Sequence, residues 1–199
     1  MTRLALALPL ALIACNSSSG SSSTGTGGSA GGSTGTGGSG GGAGACPNAP
    51  SLTAAAPACN TVTNGAAAVP FTAGTGTPPT AMGGPIDDGV YYATQASGYG
   101  SATPAGRRLT IVILGGGTQM LWAGDVLDAT GTTTSLSFRA NATASVSGTQ
   151  ISMTTTCSSA STSPLPPALD YTAPAGQLIL SLTSNGATSV TTYTRQGCP

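Results

Sequence analysis

The chain has 199 residues with five basic and five acidic side chains, all of them arginine or aspartate, so its formal net charge at pH 7 is zero. A neutral chain lacks the basic surface that nucleic acids bind, which argues against a nucleic-acid partner. The absence of histidine and lysine excludes the Ser-His-Asp, Cys-His, Ser-Lys and Schiff-base forms of catalysis.

The first 14 residues have the layout of an export signal. Arg3 precedes an apolar run from Leu4 to Ala14. This run is too short to anchor the chain, because a transmembrane helix needs about 20 residues. We therefore expect residues 1–14 to be a cleaved signal peptide.

The residues Leu12-Ile13-Ala14-Cys15 resemble the lipobox of bacterial lipoproteins. The resemblance implies that the thiol of Cys15 is diacylated, that the chain is cut before Cys15, and that the new amine is acylated too. Several acyl chains make a stable anchor, since each buried methylene contributes about 0.8 kcal/mol. Asn16 stands where an aspartate favours the inner membrane, so the resemblance implies a cell-envelope location at the outer membrane. The alternative is an ordinary secretory signal with Cys15 as an incidental thiol.

A spacer without charge follows the lipid site. In residues 15–45 the ten-residue unit Ser23–Gly32 is repeated as Ser33–Gly42 with one substitution. A Gly/Ser-rich tract cannot bury a core, and 30 such residues have a root-mean-square reach of about 30 Å. We expect residues 15–45 to be a disordered linker.

Residues 46–80 are rich in Ala, Pro and Thr, and we expect an extended strap there. With Cys15 set aside for lipid, the chain retains Cys46, Cys59, Cys157 and Cys198. An even number in an exported protein predicts two disulfides. Proximity favours Cys46 with Cys59 and Cys157 with Cys198, while the alternative ties the strap to the folded domain through Cys46 or Cys59. A zinc site is disfavoured because the chain has neither histidine nor a C-x-x-C pair.

The second half of the chain alternates apolar and polar residues with period two, which is typical of half-buried strands. Asn185-Gly186 is a strong hairpin signal because both residues tolerate the positive φ of a type I′ turn. Eight strands are predicted, near Val90–Gln95, Leu109–Leu114, Gln119–Val126, Leu136–Val146, Ile151–Cys157, Leu169–Thr172, Gln177–Thr183 and Thr188–Arg195.

The short connections between these strands predict an all-β fold for residues 81–199. We expect an antiparallel meander closed into a small lipocalin-like barrel, with a β-sandwich as the alternative.

Aromatic side chains provide the candidate binding residues. Adjacent Tyr91 and Tyr92 should point to opposite faces of their strand, so one points outward unless the strap covers it. If the barrel is incompletely filled, Tyr91, Tyr92, Trp122 and Phe138 could line a small-molecule pocket. The small residues at positions 140, 142 and 144 would leave the room for it. The alternative is a narrow barrel filled by larger neighbours across its interior.

Aspartates are the remaining acid–base groups. Asp87-Asp88 precede the first strand, where a turn explains them. Asp125 and Asp128 could form a carboxylate pair as in glycosidases, or weak calcium ligands, although the ligand spacing of a calcium loop is missing. We expect no catalytic residue, no metal and no cofactor.

The lipobox, the spacer, the segment Gly84–Tyr91 and the ending Tyr193–Gln196 resemble envelope lipoproteins with long Gly/Ser spacers, such as those of myxobacteria. That resemblance implies no activity. We expect a lipid-anchored, non-catalytic envelope protein with an interaction or structural role. A binder of a small apolar ligand and an aspartate-based hydrolase are the alternatives. Expected partners are the membrane, through the lipid, and an apolar ligand or another envelope protein.

Overall fold

A computed structural model of the chain describes residues 59–160 and 165–198. Within these residues there are strands and turns but no helix, and therefore no helix able to span a membrane. The signal peptide, Cys15, the linker and Cys46 lie outside the described residues.

Eight strands form an antiparallel barrel. Each strand from β2 (Gly89–Tyr99) to β9 (Ala187–Gly197) pairs with the next, and β2 also pairs with β9, which closes the sheet. The prediction of a closed meander is confirmed, and the sandwich alternative is wrong. The strands are β1 (Phe71–Ala73), β2 (Gly89–Tyr99), β3 (Gly106–Leu114), β4 (Gln119–Leu127), β5 (Thr134–Ser147), β6 (Gln150–Ser158), β7 (Ala168–Thr172), β8 (Gln177–Ser184) and β9 (Ala187–Gly197).

The alternation of residue types builds this barrel as predicted. In β3, Leu109, Ile111 and Ile113 are buried in the interior, because every second side chain of a strand points to the same face. Asn185 and Gly186 have φ values of 51° and 76°, which fits the type I′ turn expected between β8 and β9.

Alternate turns of a meander lie at opposite ends of its barrel. The turns at 115–118, 148–149 and 173–176 define what we call the plugged end. The turns at 100–105, 128–133 and 185–186, with the segment 165–167, define the mouth end.

Residues 82–88 close the plugged end before β2 begins. Ile86 is only 6% exposed and belongs to the main core cluster. The backbone N–H of Gly83 donates to the carbonyl of Tyr171 at 2.9 Å. The carboxylate of Asp88 accepts hydrogen bonds from the backbone N–H groups of Gly115 and Gly116, at 3.0 and 2.7 Å. Asp88 therefore fastens the plug to the β3–β4 turn.

A disulfide between Cys59 and Cys157, 98 residues apart, attaches the strap to the barrel wall. This confirms the alternative in which Cys59 ties the strap to the barrel. The favoured pairings, Cys46 with Cys59 and Cys157 with Cys198, are wrong, because the strap runs back over the barrel and brings Cys59 against β6. Cys198 is also disulfide-bonded, and its partner lies outside the described residues.

Residues 59–73, which we call the belt, cross the outer surface of the barrel. The side-chain amide of Asn60 donates to the carbonyls of Trp122 and Ala140, each at 3.2 Å, and to Oδ1 of Asn141 at 2.8 Å. Buried polar groups must be paired in this way, and these bonds fix the belt against β4 and β5.

The short strand β1 fills a gap in the barrel wall and was not predicted. Strand β2 pairs with β3 only over residues 89–92, whereas residues 96–98 pair in parallel with β1. The backbone of Val69 exchanges two hydrogen bonds with that of Arg107, at 2.7 and 2.8 Å. The belt thus covers backbone groups where β2 and β3 diverge at the mouth end.

Candidate functional site: a cavity at the mouth end

A cavity of about 130 Å³ lies inside the barrel at its mouth end. Its walls are inward-facing side chains from β3, β4, β5, β7, β8 and β9, together with two residues of the β6–β7 connection. The described lining residues are Arg107, Leu109, Trp122, Val126, Phe138, Leu165, Pro166, Leu169, Leu180, Leu182, Ser189, Thr191 and Tyr193.

The size and lining of the cavity limit what it can hold. Apolar cavities of about 150 Å³ accommodate a molecule the size of benzene, whereas pockets for drug-sized ligands have about 300–1,000 Å³. Ten of the lining side chains are aliphatic, aromatic or proline (Leu109, Trp122, Val126, Phe138, Leu165, Pro166, Leu169, Leu180, Leu182 and Tyr193). The cavity therefore suits one small apolar molecule or one end of a longer one.

Two of the four predicted pocket residues line this cavity. Trp122 and Phe138 face it, whereas Tyr91 and Tyr92 do not. Tyr91 is buried toward the plugged end, where its hydroxyl donates to the carbonyl of Asp87 at 2.8 Å. Burial raises the pKa of Tyr91, and nearby Arg195 partly opposes this.

Tyr92 points outward and its ring lies over the belt at Gly65. The prediction that the two adjacent tyrosines point to opposite faces is confirmed, and the strap half-covers the outer one. Because the belt crosses β2 at this point, Tyr92 contacts the belt and not the barrel interior.

The alanines of β5 do not provide the room for the cavity. Ala140 and Ala142 are buried in the core cluster, which also contains the larger side chains of Met120, Met153 and Tyr171. Those side chains fill the space that the alanines leave. The cavity lies instead at the mouth end of β5, beside Phe138.

Two buried nitrogen atoms of the cavity wall have no hydrogen-bond partner. They are Nε1 of Trp122 and Nε of Arg107, and Trp122 as a whole is only 4% exposed. The guanidinium of Arg107 donates one hydrogen bond through Nη2, to Oγ of Ser189 at 2.6 Å. Native proteins pair most buried donors, so these two N–H groups distinguish the cavity from the rest of the interior that residues 59–160 and 165–198 form.

Tyr193 forms the third polar part of the wall. Its ring stands edge-on to that of Trp122, with centroids 6.2 Å apart and planes at 88°, a favourable arrangement for two aromatic rings. Complete burial raises the pKa of the Tyr193 hydroxyl above its ordinary value, and the positive charge of Arg107 partly opposes that rise. Tyr193 is therefore neutral at any physiological pH.

No carboxylate balances the charge of Arg107. The described lining of the cavity contains neither Asp nor Glu. The one ion pair found in residues 59–160 and 165–198 joins Arg108 to Asp125 on the outer face, with 3.6 Å between Nη1 and Oδ2. Arg107 and Arg108 are neighbours in β3 that point to opposite faces, and only Arg108 has an acidic partner.

Arg107 was missed by the sequence analysis because the predicted strand began at Leu109. The observed strand begins at Gly106. The signal was present, since Arg107 continues the inward alternation of Leu109, Ile111 and Ile113 by one step.

The aspartates proposed as an acid–base pair have separate structural partners. Oδ1 of Asp125 accepts from Ser137 at 2.6 Å, and its other oxygen faces Arg108. Asp128 lies in the β4–β5 turn and accepts from the backbone N–H of Thr132 at 2.9 Å and from the hydroxyl of Thr130 at 2.9 Å. These bonds hold the pKa of Asp128 below its usual range. Neither carboxylate lines the cavity.

No group of three or more histidine, cysteine or acidic side chains that could hold a metal is found in the described part of the chain. Comparison of the chain with protein-family models, with curated proteins and with solved structures finds no match. The candidate site in the described residues is therefore the mouth cavity, which is lined mainly by apolar side chains and whose lining residues Arg107 and Trp122 each have a buried nitrogen atom without a partner.

Proposed function

We propose that this protein is a lipid-anchored, non-catalytic envelope protein whose barrel binds a small, largely apolar molecule in the mouth cavity. The observation that carries the proposal is a cavity of about 130 Å³ that opens at the mouth end of the barrel and is lined mainly by apolar side chains. A barrel with a purely structural role gains stability by filling such a space, because interiors are close-packed.

The rim of the cavity also favours an apolar ligand. Leu182 lines the cavity and is 39% exposed, and Leu136, which pairs with the lining residue Val126, is exposed to the same extent. At the opposite end, Ile86 and its segment close the barrel. A ligand would therefore enter through the mouth end, across an apolar rim.

Toluene is a suitable probe because it is neutral and matches the size of the cavity. Trp122 is the only tryptophan of the chain, so its fluorescence should report the ligand directly. We expect saturable binding with a dissociation constant on the order of 0.1–1 mM. An absence of saturable binding by both fluorescence and calorimetry would contradict the proposal.

A matched pair of variants tests the location of binding. Leu182→Trp places an indole ring at the rim of the cavity, whereas Val146→Trp places the same ring near the plugged end, where Val146 is 41% exposed. Calorimetry should show toluene binding weakened about tenfold or more in Leu182→Trp and unchanged in Val146→Trp. Equal effects of the two substitutions would place the ligand elsewhere.

The anchor is tested separately. The resemblance of Leu12–Cys15 to a lipobox supports acylation of Cys15, which lies outside the described residues. In cells expressing the full chain, Cys15→Ser should move the protein from the membrane fraction to the soluble fraction, because two acyl chains are needed for stable anchoring. Cys157→Ser, which removes the disulfide to Cys59 but leaves Cys15 in place, is the control for loss of a cysteine and should leave the protein with the membranes.

A further inference from the structure

We propose that the ligand of the mouth cavity is a small monocarboxylate, with its apolar body in the cavity and its carboxylate on Arg107. This inference rests on the proposed function and adds to it the charge of the ligand. A benzoate-like or short branched carboxylate has the required size, since the cavity measures about 130 Å³.

Arg107 differs from the other arginines of the barrel in having no protein anion or carbonyl as a side-chain partner. Arg108 faces Asp125. Arg139 donates to the backbone carbonyls of Asn60 and Val62. Arg195 donates through Nε and Nη2 to the carbonyl of Asp88, at 3.0 and 2.5 Å. Arg107 donates to Ser189 alone.

The unpaired donors of the wall point to an acceptor on the ligand. Nε of Arg107 is buried without a partner, and so is Nε1 of Trp122 on the same cavity. A guanidinium can bind a carboxylate through two parallel hydrogen bonds, which are shorter and stronger than bonds between neutral groups. A ligand carboxylate would supply an acceptor for such donors, in a wall whose other polar side chains, Ser189, Thr191 and Tyr193, are uncharged.

The charge balance of the site favours a monoanion. The described lining contains one cationic side chain and no acidic one. The aspartate nearest in sequence to the lining residues of β4 is Asp125, which is engaged on the outer face. A single guanidinium matches one carboxylate, whereas a dianionic phosphate near neutral pH would retain an uncompensated charge in an apolar site.

Benzoate and toluene, which have rings of the same size, form the test. At pH 7 and constant ionic strength, calorimetry should show benzoate binding to the full chain at least about tenfold more tightly than toluene, as expected for a hydrogen bond to a charged group. Arg107→Met should abolish this preference. Arg108→Met, the matched control on the outer face, should leave it intact.

A second variant keeps the test independent of how well Arg107→Met folds. Trp122→Phe retains an aromatic ring in the cavity wall and removes the N–H donor, so it should reduce the benzoate preference while toluene still binds. An unchanged preference in both Arg107→Met and Trp122→Phe would overturn the assignment of the carboxylate to these donors.

The outcomes separate this inference from the proposed function. If toluene binds as tightly as benzoate to the unmodified protein, the carboxylate inference is wrong and the apolar-ligand proposal stands. If neither compound binds, both proposals are wrong.

Discussion

The two ends of this barrel differ in whether their buried polar groups are paired by hydrogen bonds. At the plugged end, Asp88 accepts two backbone hydrogen bonds from the β3–β4 turn, Arg195 donates twice to the carbonyl of Asp88, and the hydroxyl of Tyr171 donates to the carbonyl of Gly84 at 2.9 Å. At the mouth end, Arg107 and Trp122 keep buried nitrogen atoms unpaired beside a cavity.

This difference shows that the features that lower the stability of the fold lie at the mouth end. An unpaired buried donor destabilises a protein by about 1–3 kcal/mol, and a cavity forfeits the contacts of its lining. Both losses are concentrated at one end, and the other end has a buried apolar plug with paired polar groups. Functional sites commonly retain such local losses while the rest of the fold compensates for them.

The largest expected effect comes from opening the plugged end. Ile86→Ala should lower the free energy of unfolding by about 2–5 kcal/mol, because it leaves a void in the core cluster. Leu182→Ala at the mouth end should lower it by less than about 1.5 kcal/mol, since that side chain is already 39% exposed. Urea unfolding with the disulfides intact measures both, and equal losses would remove the proposed contrast between the ends.

A smaller change in the free energy of unfolding is expected when Arg195 at the plugged end and Arg107 at the mouth end are each replaced by methionine. Arg195→Met removes two hydrogen bonds to the Asp88 carbonyl and should destabilise the protein by about 1–3 kcal/mol. Arg107→Met removes one bond to Ser189 together with a half-buried charge that has no acidic partner, so its free energy of unfolding should stay within about 1 kcal/mol of the unmodified protein. A large destabilisation by Arg107→Met would mean that this arginine is structural.

The smallest change in stability should appear only at alkaline pH. Burial raises the pKa of Tyr193, whereas an unfolded tyrosine titrates near 10. Above about pH 10 the unfolded chain loses a proton that the folded protein keeps, so stability should be full below pH 10 and fall as the pH rises further. The chain has no lysine to titrate in the same range.

Tyr193→Phe should reduce this alkaline decline without removing it, because burial also raises the pKa of Tyr91, and it should leave the pH dependence below pH 9 unchanged. Thermal unfolding between pH 8 and pH 11.5 gives the comparison. An identical decline in the unmodified protein and the variant would show that the Tyr193 hydroxyl at the mouth end is hydrated, which would weaken the picture of a dry cavity wall.

The barrel strands could be predicted from the sequence because period-two alternation is a local signal. All eight were found, and the Asn185-Gly186 turn was placed correctly. The plug was not found, because Ile86 is a single apolar residue between glycine, proline and aspartate and shows no periodicity. The belt was found only as an extended strap. The partners of Asn60 lie 62 to 81 residues away, and a local pattern cannot reveal them.

The candidate site was predicted in part for the same reason. Trp122 and Phe138 were identified as aromatic residues on predicted strands, and both line the cavity. Tyr91 and Tyr92 have the same local character, but the plug and the belt, which are non-local features, place them elsewhere. The location of the cavity depended on which end of the barrel the chain closes, and the strand pattern carries no information about that.

The Cys59–Cys157 disulfide has a mechanical consequence. A tensile force that reaches Cys59 from the N-terminal side is transmitted through the disulfide directly to β6. Residues 60–88 are therefore not under tension. The belt hydrogen bonds and the Ile86 plug are thereby protected from tension. Without the disulfide, the same force would break these contacts with the barrel one after another. A chain held by its N-terminus could thus be pulled without its barrel being opened at the plugged end.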